Sequence, residues 1–483
     1  MSNSGDTKTE AEFTRVLGQW DVLAIAFGAM IGFGWIVLTG TFLEGAGTMG
    51  AALAFVLGGI VMGFIALTYA ELCSAMPQAG GEHQYVLRAM GSKFGFVCSW
   101  FLVLGYVSVV SFEAVALPQT MLYLFPDMLA VKLWTIADYD VYLSWVAVGV
   151  VAAIVMTYLN YRGVRAAAVF QTIAVLFLMA VGAALIFGSF SGGSISQMDP
   201  WFTGGAAGII GVLVATPFLF VGFDVIPQSA EEINLPYRKI GIMILISLAA
   251  AVSWYVMIML TVGSSLPSAD LANSDLAVAS GMEALWGSET MGKILVLGGI
   301  AGILTSWNGF LIGASRLIYA MAASGMLPAW FGALHPKYKT PKNALIFIGA
   351  LSVLAPLFGR KMLVWLVDAG SLSLIIAFIF VSISFVILRR KEPEMERPFR
   401  TPGGVPTGVI AVVLAGALGF QFMPGQAAAL IWPYEWAIFG GWAIAGIVLI
   451  LRIPHVGSGK DSHDEMVRVA SKRGMPQDQG DPA

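Results

Sequence analysis

Three charged residues stand out inside long apolar runs of the sequence. They are Glu113, Asp224 and Arg316. At the centre of a bilayer a charged side chain costs about 2.5–3.5 kcal/mol even on the most lenient scale, so each is a candidate functional residue. A buried carboxyl such as that of Glu113 can carry a proton, or it can hold neighbouring helices together by hydrogen bonds. The sequence leaves both roles open.

The other two charges allow different roles. Asp224 could orient unwound backbone, contact a substrate amine or take up a proton, and a structural role is the first expectation. Arg316 lies about two turns from the end of its apolar run. We expect it to be structural and to extend its charged group towards that end, as long basic side chains do.

Two short glycine-containing stretches within apolar runs resemble each other. Ile31-Gly32-Phe33 lies in the first run and Val221-Gly222-Phe223 in the sixth. Glycine permits unusual dihedral angles and lets a ligand approach the backbone closely. In a membrane, unwound chain persists only where protein, water or a ligand satisfies its N–H and C=O groups. We therefore predict a break at each stretch; the alternative is that these glycines only allow close helix packing.

Two such breaks would form a site for a molecule that carries both charges. The N–H groups at a helix N-terminus attract a carboxylate, and freed carbonyls accept hydrogen bonds from an ammonium group. The residues predicted to contact a substrate are Ile31, Gly32, Phe33, Gly34, Phe220, Val221, Gly222, Phe223 and Asp224.

The composition shows what kind of chain holds these residues. Of its 483 residues, 58% are hydrophobic and 11% are charged, with a formal net charge of −3. Soluble domains carry about 25% charged residues. The composition excludes a soluble enzyme, a disordered chain and a nucleic-acid-binding protein. We predict an all-α, multi-pass integral membrane protein.

Apolar runs of roughly 20 residues, each long enough to cross the bilayer, give twelve predicted spans. They lie near 20–44, 50–75, 95–124, 141–160, 166–190, 208–231, 240–264, 292–322, 343–358, 362–388, 405–423 and 433–451. Most of the 26 Lys and Arg residues fall in alternate connecting segments. The positive-inside rule then places both termini in the cytoplasm.

The matched breaks predict how the chain is organised. Five spans separate the two broken helices, so the second copy enters from the opposite side, as an inverted five-plus-five repeat requires. The predicted parts are a cytoplasmic N-terminal tail (1–19), a first repeat (20–190), a second repeat (208–390), a region with two further helices (391–452) and a cytoplasmic polar tail (453–483).

Five motifs together resemble the amino acid–polyamine–organocation permeases, over about residues 15–403. They are Gly28 to Gly40; Pro77-Gln-Ala-Gly-Gly81 with Tyr85; Gly222-Phe-Asp224 with Glu231, Glu232, Asn234, Pro236 and Arg238; Ser315-Arg316 with Tyr319, Gly325 and Pro328; and Arg397 to Gly403. The sequence departs from the family pattern at Phe33 and at Glu82-His83. The resemblance implies the leucine-transporter fold and transport of amino acids or related amines by alternating access.

The resemblance also implies which coupling ions could drive transport. Relatives that couple to protons often carry a lysine midway along the fifth helix, and the matching position here is expected to be Leu178. The fold's common sodium site would use the carbonyls of Gly28 and Ile31 with the hydroxyls of Thr305 and Ser306. Proton coupling through Glu113, sodium coupling and solute exchange all remain open.

We predict a secondary transporter for an amino acid, a neutral one because no further buried acid marks a dibasic substrate. The alternatives are a polyamine- or ethanolamine-type amine permease and a nutrient sensor of the same fold that binds without transport. No nucleophile cluster is legible, so we expect no enzymatic activity, and no cofactor beyond H⁺ or Na⁺ as a possible coupling ion. The expected partners are a small-molecule substrate and the lipid bilayer of the plasma (cell inner) membrane, and no nucleic acid.

Overall fold

The computed structural model describes residues 13–472 except 138, 275 and 427. The chain is almost entirely helical within these residues. In chain order the α-helices are α1 (Gln19–Met30), α2 (Gly34–Val37), α3 (Thr39–Ala46), α4 (Thr48–Ala75), α5 (Glu82–Met90), α6 (Ser92–Leu124), α7 (Leu143–Tyr161), α8 (Val164–Gly192), α9 (Gly205–Leu219), α10 (Val225–Gln228), α11 (Tyr237–Gly263), α12 (Ser268–Ala272), α13 (Ala277–Trp286), α14 (Glu289–Ala323), α15 (Lys342–Leu354), α16 (Met362–Lys391), α17 (Val405–Phe420), α18 (Tyr434–Ile450) and α19 (Ser462–Lys472).

In the described part of the chain, seven helices are long and apolar enough to cross a membrane. They are α4, α6, α7, α8, α11, α14 and α16. Shorter apolar helices include α9, α15, α17 and α18. The prediction of a helical, multi-pass membrane protein is confirmed. The count of twelve crossings stays a prediction, because the remaining predicted spans correspond to shorter or interrupted helices.

One small β-hairpin was not predicted. Strands β1 (Lys132–Ile136) and β2 (Tyr139–Tyr142) pair antiparallel between α6 and α7. An ion pair of 2.6 Å joins Lys132 Nζ to Asp140 Oδ1, and Thr135 donates a hydrogen bond to the same carboxylate. Its strands contain both polar and apolar residues and lie largely outside the long apolar runs. Hydropathy alone therefore does not predict the hairpin.

Burial separates inner helices from outer ones. Over their most apolar stretches, 78% of the residues of α6 and α14 are buried, against 33% for α7 and α8. Glu113 and Arg316 belong to the two inner helices. Both charges therefore face protein rather than lipid, which is where intramembrane charges are tolerated.

Arg316 does not extend to the end of its helix, so that prediction was wrong. Its guanidinium lies inside the protein, 1% exposed, and forms a bidentate pair with Glu232, which is 2% exposed. The two N···O distances are 2.9 and 3.0 Å. The pair joins α14 to the segment after α10, and it explains how a fully buried arginine is accommodated.

A second buried carboxylate, Glu71 near the end of α4, holds the segment that follows α16. Its carboxylate accepts hydrogen bonds from Arg389 and from the backbone N–H of Thr401 at 2.7 Å. Arg397 Nε lies 3.0 Å from the same carboxylate. Glu71 thus holds the connection between α16 and α17 against the end of α4.

We expect Glu232→Gln to lower the stability of the protein strongly. It leaves Arg316 buried beside a neutral amide, and breaking one partner of a buried pair costs about 3–5 kcal/mol. The measurement is the apparent melting temperature in detergent. Glu289→Gln is the matched control, because the Glu289–Lys293 pair is exposed and should change little. Equal melting temperatures for the two variants would contradict this account of Arg316.

Candidate functional site

The first predicted break is present between α1 and α2. Helix α1 ends at Met30, and residues 31–33 are not helical before α2 begins at Gly34. The hydroxyl of Tyr255, on α11, donates a hydrogen bond of 3.2 Å to the carbonyl of Met30. A side chain from another helix thus replaces a bond that the continuing helix would have made.

The second predicted break separates α9 from α10. The backbone from Phe220 to Asp224 is not helical, and Gly222 has a φ of +134°, which side-chain-bearing residues rarely adopt. A Cβ on Gly222 would lie 2.9 Å from the backbone nitrogen of Met30. The two breaks therefore touch, with Gly222 directly against the end of α1.

Asp224 stabilises the second break. Its Oδ1 accepts a hydrogen bond of 2.7 Å from the backbone N–H of Gly222. Its Oδ2 accepts one of 2.7 Å from the hydroxyl of Tyr106 on α6. With both carboxylate oxygens bonded and no exposure, the position of Asp224 matches its first expected role, the orientation of unwound backbone.

Glu113 extends from α6 to the first break. Its Oε1 lies where a side chain on residue 32 would be, so only glycine leaves room for it. The hydroxyl of Ser306 and the backbone N–H of Phe33 lie close to this carboxyl. Its Oε2 is buried and has no hydrogen-bond partner among the described residues.

A closed cavity of about 20 Å³ lies between the two breaks. This is room for about one water molecule. Aromatic side chains close it, with Phe33 and Phe112 in edge-to-face contact at 5.0 Å and Phe112 and Phe218 at 5.9 Å. The lining residues are Ala29, Met30, Gly32, Phe33, Gly34, Val109, Phe112, Glu113, Phe218, Leu219, Val221, Tyr255, Ser306 and Phe310.

The predicted substrate residues divide into two groups. Gly32, Phe33, Gly34 and Val221 line the cavity, whereas the others lie in the surrounding backbone or in neighbouring aromatic clusters. The latter are Ile31, Phe220, Gly222, Phe223 and Asp224. Phe220 packs against Phe55 and Tyr255, and Phe223 against Tyr69 and Phe378.

Sequence reasoning missed cavity residues that lie outside the two breaks. Phe218, Tyr255 and Phe310 line the cavity but lie in helical parts of α9, α11 and α14. Phe112, next to Glu113 on α6, also lines it. The adjacency to a buried acid was the one available indication that this face of α6 points inward.

The four groups expected at a sodium site are already engaged in contacts within the protein. Thr305 donates hydrogen bonds to the carbonyls of Gly28, at 3.1 Å, and Gly302, at 2.9 Å. Ser306 is turned towards Glu113, and the carbonyl of Ile31 lies against Gly302. From α8, Gln171 and Val175 lie against Gly28, and Gln171 also bonds to the carbonyl of Thr305. The match of Leu178 to the lysine position of proton-coupled relatives stays a prediction.

The start of α5, where the sequence departs from the family pattern, joins several helices. Glu82 accepts a hydrogen bond from Gln228 of α10. The ring nitrogens of His83 lie 2.9 Å from the hydroxyls of Ser99, on α6, and Ser324, just beyond α14. These two neighbouring side chains therefore tie α10 on one side to α6 and α14 on the other.

Several known proteins similar to this chain are carriers by name. The sequence profile of a family described as "Amino acid permease" matches residues 17–450. The branched-chain amino acid permease BcaP of Bacillus subtilis is 29% identical over 82% of this chain and 86% of its own. The methylthioribose transporter of the same organism is 27% identical over 92% and 94%. The human cationic amino acid transporter 4 is 27% identical over 82% and 63%.

We expect acid to destabilise the protein through His83. Burial, with a smaller contribution from His463, lowers the pKa of His83 to about 3, compared with about 6.5 in an unfolded chain. Because the folded-state pKa is the lower one, the unfolded state takes up the proton first, and stability falls by about 1.4 kcal/mol per pH unit below pH 6.5. The melting temperature should fall more steeply from pH 6 to pH 4 in the wild type than in His83→Gln.

The matched control is His335→Gln, since His335 lies in a loop outside this contact. That variant should keep the wild-type slope of melting temperature against pH. If His83→Gln keeps that slope too, another group causes the acid sensitivity.

Proposed function

Because the chain belongs to the amino acid permease family, within the amino acid–polyamine–organocation superfamily, we propose that it is a secondary transporter that moves a neutral amino acid by alternating access. The observation that carries this proposal is the contact between two backbone breaks deep in the protein. Backbone N–H and C=O groups released from helical pairing at such a place suit a ligand that carries both a carboxylate and an ammonium group.

The two breaks support an inverted repeat. Each lies in the first helix of a predicted half, 20–190 and 208–390, and the halves would enter the membrane from opposite sides. We propose the leucine-transporter fold with twelve crossings, both termini in the cytoplasm by the positive-inside rule, and a location in the plasma (cell inner) membrane.

The closed cavity fits one step of such a cycle. Space for one water molecule does not hold an amino acid, so the aromatic side chains around it must move apart for binding. Phe33 lies in the first break and Phe218 in the last turn of α9. A movement of either half-helix would therefore open the cavity, which links access to the site with the helix breaks.

The charge in the cavity supports a substrate without net charge. Among the described lining residues Glu113 is the one carboxylate, and no Lys or Arg is present. An ammonium group could bind near Glu113, while a carboxylate would take the N–H groups of the breaks. The apolar and aromatic remainder suits an aliphatic side chain, in keeping with a relative named for branched-chain amino acids.

One observation favours a second candidate, an amine permease. The Glu113 carboxyl lies beside the Phe33 N–H, which is where a substrate carboxylate would bind. A polyamine or an ethanolamine-type amine has no carboxylate and needs no N–H group to bind one. Its ammonium group would donate a hydrogen bond to the unpartnered Oε2 of Glu113. A relative named for methylthioribose transport shows that some related carriers are named for substrates other than amino acids.

Uptake into proteoliposomes tests both candidates. The purified protein is reconstituted, and labelled neutral amino acids, dibasic amino acids and amines are compared with and without internal substrate and with a membrane potential. One positive charge per cycle and 100 mV would give about 50-fold accumulation, whereas pure exchange would give none. Saturable amino acid uptake supports the first proposal, amine uptake alone the second, and ligand binding without any flux would indicate a sensor.

We expect Gly32→Val to weaken substrate binding by about 10-fold or more. The valine side chain would displace Glu113 and Ser306, and overpacking of this kind costs about 1–3 kcal/mol. Binding is measured as ligand-induced thermal stabilisation. Gly45→Val is the matched control, since nothing lies within 4 Å of a Cβ at Gly45. If Gly32→Val binds with normal affinity, the substrate does not bind at this break.

We expect Glu113→Gln to flatten the pH dependence of uptake if Glu113 carries the coupled proton. The amide keeps the shape of the side chain and its acceptor oxygen but cannot gain or lose a proton at these pH values. Initial rates are measured from pH 5 to pH 8 for the wild type and the variant. An unchanged pH profile in an active variant would remove Glu113 from proton coupling.

A further inference from the structure

A buried carboxamide lies beside two of the residues, Gly28 and Thr305, at which a cation was expected. Gln171, on α8, is fully buried. Its Nε2 donates hydrogen bonds of 3.1 Å to the carbonyl of Ala24, on α1, and to that of Thr305, on α14. The same nitrogen lies so close to Gly28 that no Cβ would fit there. The amide thus joins three helices beside the first break.

Two more amides hold Gln171 in place. Asn308 Nδ2, on α14, donates a hydrogen bond of 2.8 Å to the Gln171 Oε1 and one of 3.1 Å to the carbonyl of Ala167. Asn160, on α7, donates one of 2.9 Å to the Asn308 Oδ1. All three side chains are buried. Because both N–H hydrogens and the oxygen of Gln171 have partners, its orientation is determined by the network.

This environment does not fit a sodium ion. A hard cation needs several oxygen atoms that point at it. Here the Gln171 N–H groups point at the carbonyls of α1 and α14, and the Thr305 hydroxyl points at the Gly28 carbonyl. The positive ends of these dipoles would repel a cation, and the carbonyls that could bind one are already occupied.

We propose that the Gln171 carboxamide takes the place of a coupling cation between α1 and α14, so that this carrier works without sodium. The inference rests on the transport function proposed above. A bound cation can join carbonyls of two helices and then leave, which makes helix movement depend on an ion gradient. The Gln171 amide joins other carbonyls of the same two helices, those of Ala24 and Thr305, and it is covalently attached to α8. The contact between α1 and α14 then forms without an ion, and sodium contributes no driving force.

Sodium binding by the wild-type protein tests the proposal independently of transport. Purified protein is incubated with ²²Na⁺ in the presence and absence of the best-binding amino acid or amine. We expect no saturable binding, and we expect initial uptake rates in sodium, potassium and choline chloride to agree within about 2-fold. Saturable ²²Na⁺ binding, or sodium stimulation of uptake by about 10-fold, would overturn the proposal. Absence of all flux would count against the transport function instead, while ²²Na⁺ binding would still decide this inference.

Gln171→Glu provides a second test. At pH 8 it replaces the N–H donors by an acceptor oxygen, which leaves the carbonyls of Ala24 and Thr305 facing a carboxylate. Leaving buried acceptors without donors should lower uptake in choline chloride by about 10-fold or more, and sodium should restore it by completing an all-oxygen site. Gln197→Glu, in the short Ile195–Met198 turn, is the matched control and should behave as the wild type. Undiminished uptake by Gln171→Glu in choline would overturn the proposal.

Discussion

The structure depends on how the backbone groups freed at two helix breaks are satisfied inside a membrane protein. Each unpaired N–H or C=O in an apolar environment costs several kcal/mol. At the first break the Phe33 N–H lies beside the Glu113 carboxyl, and the Met30 carbonyl accepts a hydrogen bond from Tyr255. At the second, Asp224 accepts from Gly222. Each break therefore has one carboxylate that replaces a missing helical acceptor, which gives the intramembrane acids a common structural role.

The need to pair the backbone groups of the first break also affects how a substrate carboxylate can bind there. A ligand carboxylate that binds at the first break competes with Glu113 for the same N–H, and two like charges this close repel each other. Glu113 must then rotate away, exchange its partner for an ammonium group or bind a proton. Its unpartnered Oε2 already leaves one acceptor for such a partner. Substrate charge and the protonation of Glu113 are therefore linked by the geometry of a single N–H group.

The sequence predicted the breaks because two matched stretches, five spans apart, each carry a glycine between large apolar residues. It predicted the long helices because their apolar runs match the membrane thickness. It could not predict which side chain of a helix faces which neighbour, because hydropathy does not fix the rotation of an apolar helix about its axis. Gln171, which bonds to carbonyls of α1 and α14, was not singled out, and Arg316 pairs with Glu232 instead of extending to its helix end. The cavity residues outside the two breaks were missed for the same reason.

The polar contacts also indicate where the structure can move. Gln171 ties α1 to α8 and α14 ahead of the first break, through amides whose hydrogen bonds do not depend on pH or on an ion. Beyond that break, Phe33 and Phe218 close the cavity by aromatic contacts with Phe112. Aromatic pairs contribute about 0.5–1.5 kcal/mol beyond the area they bury, and they lack the directional requirement of a hydrogen bond. The half-helices that carry Phe33 and Phe218 can therefore separate from α6 at a lower cost than α1 can leave Gln171.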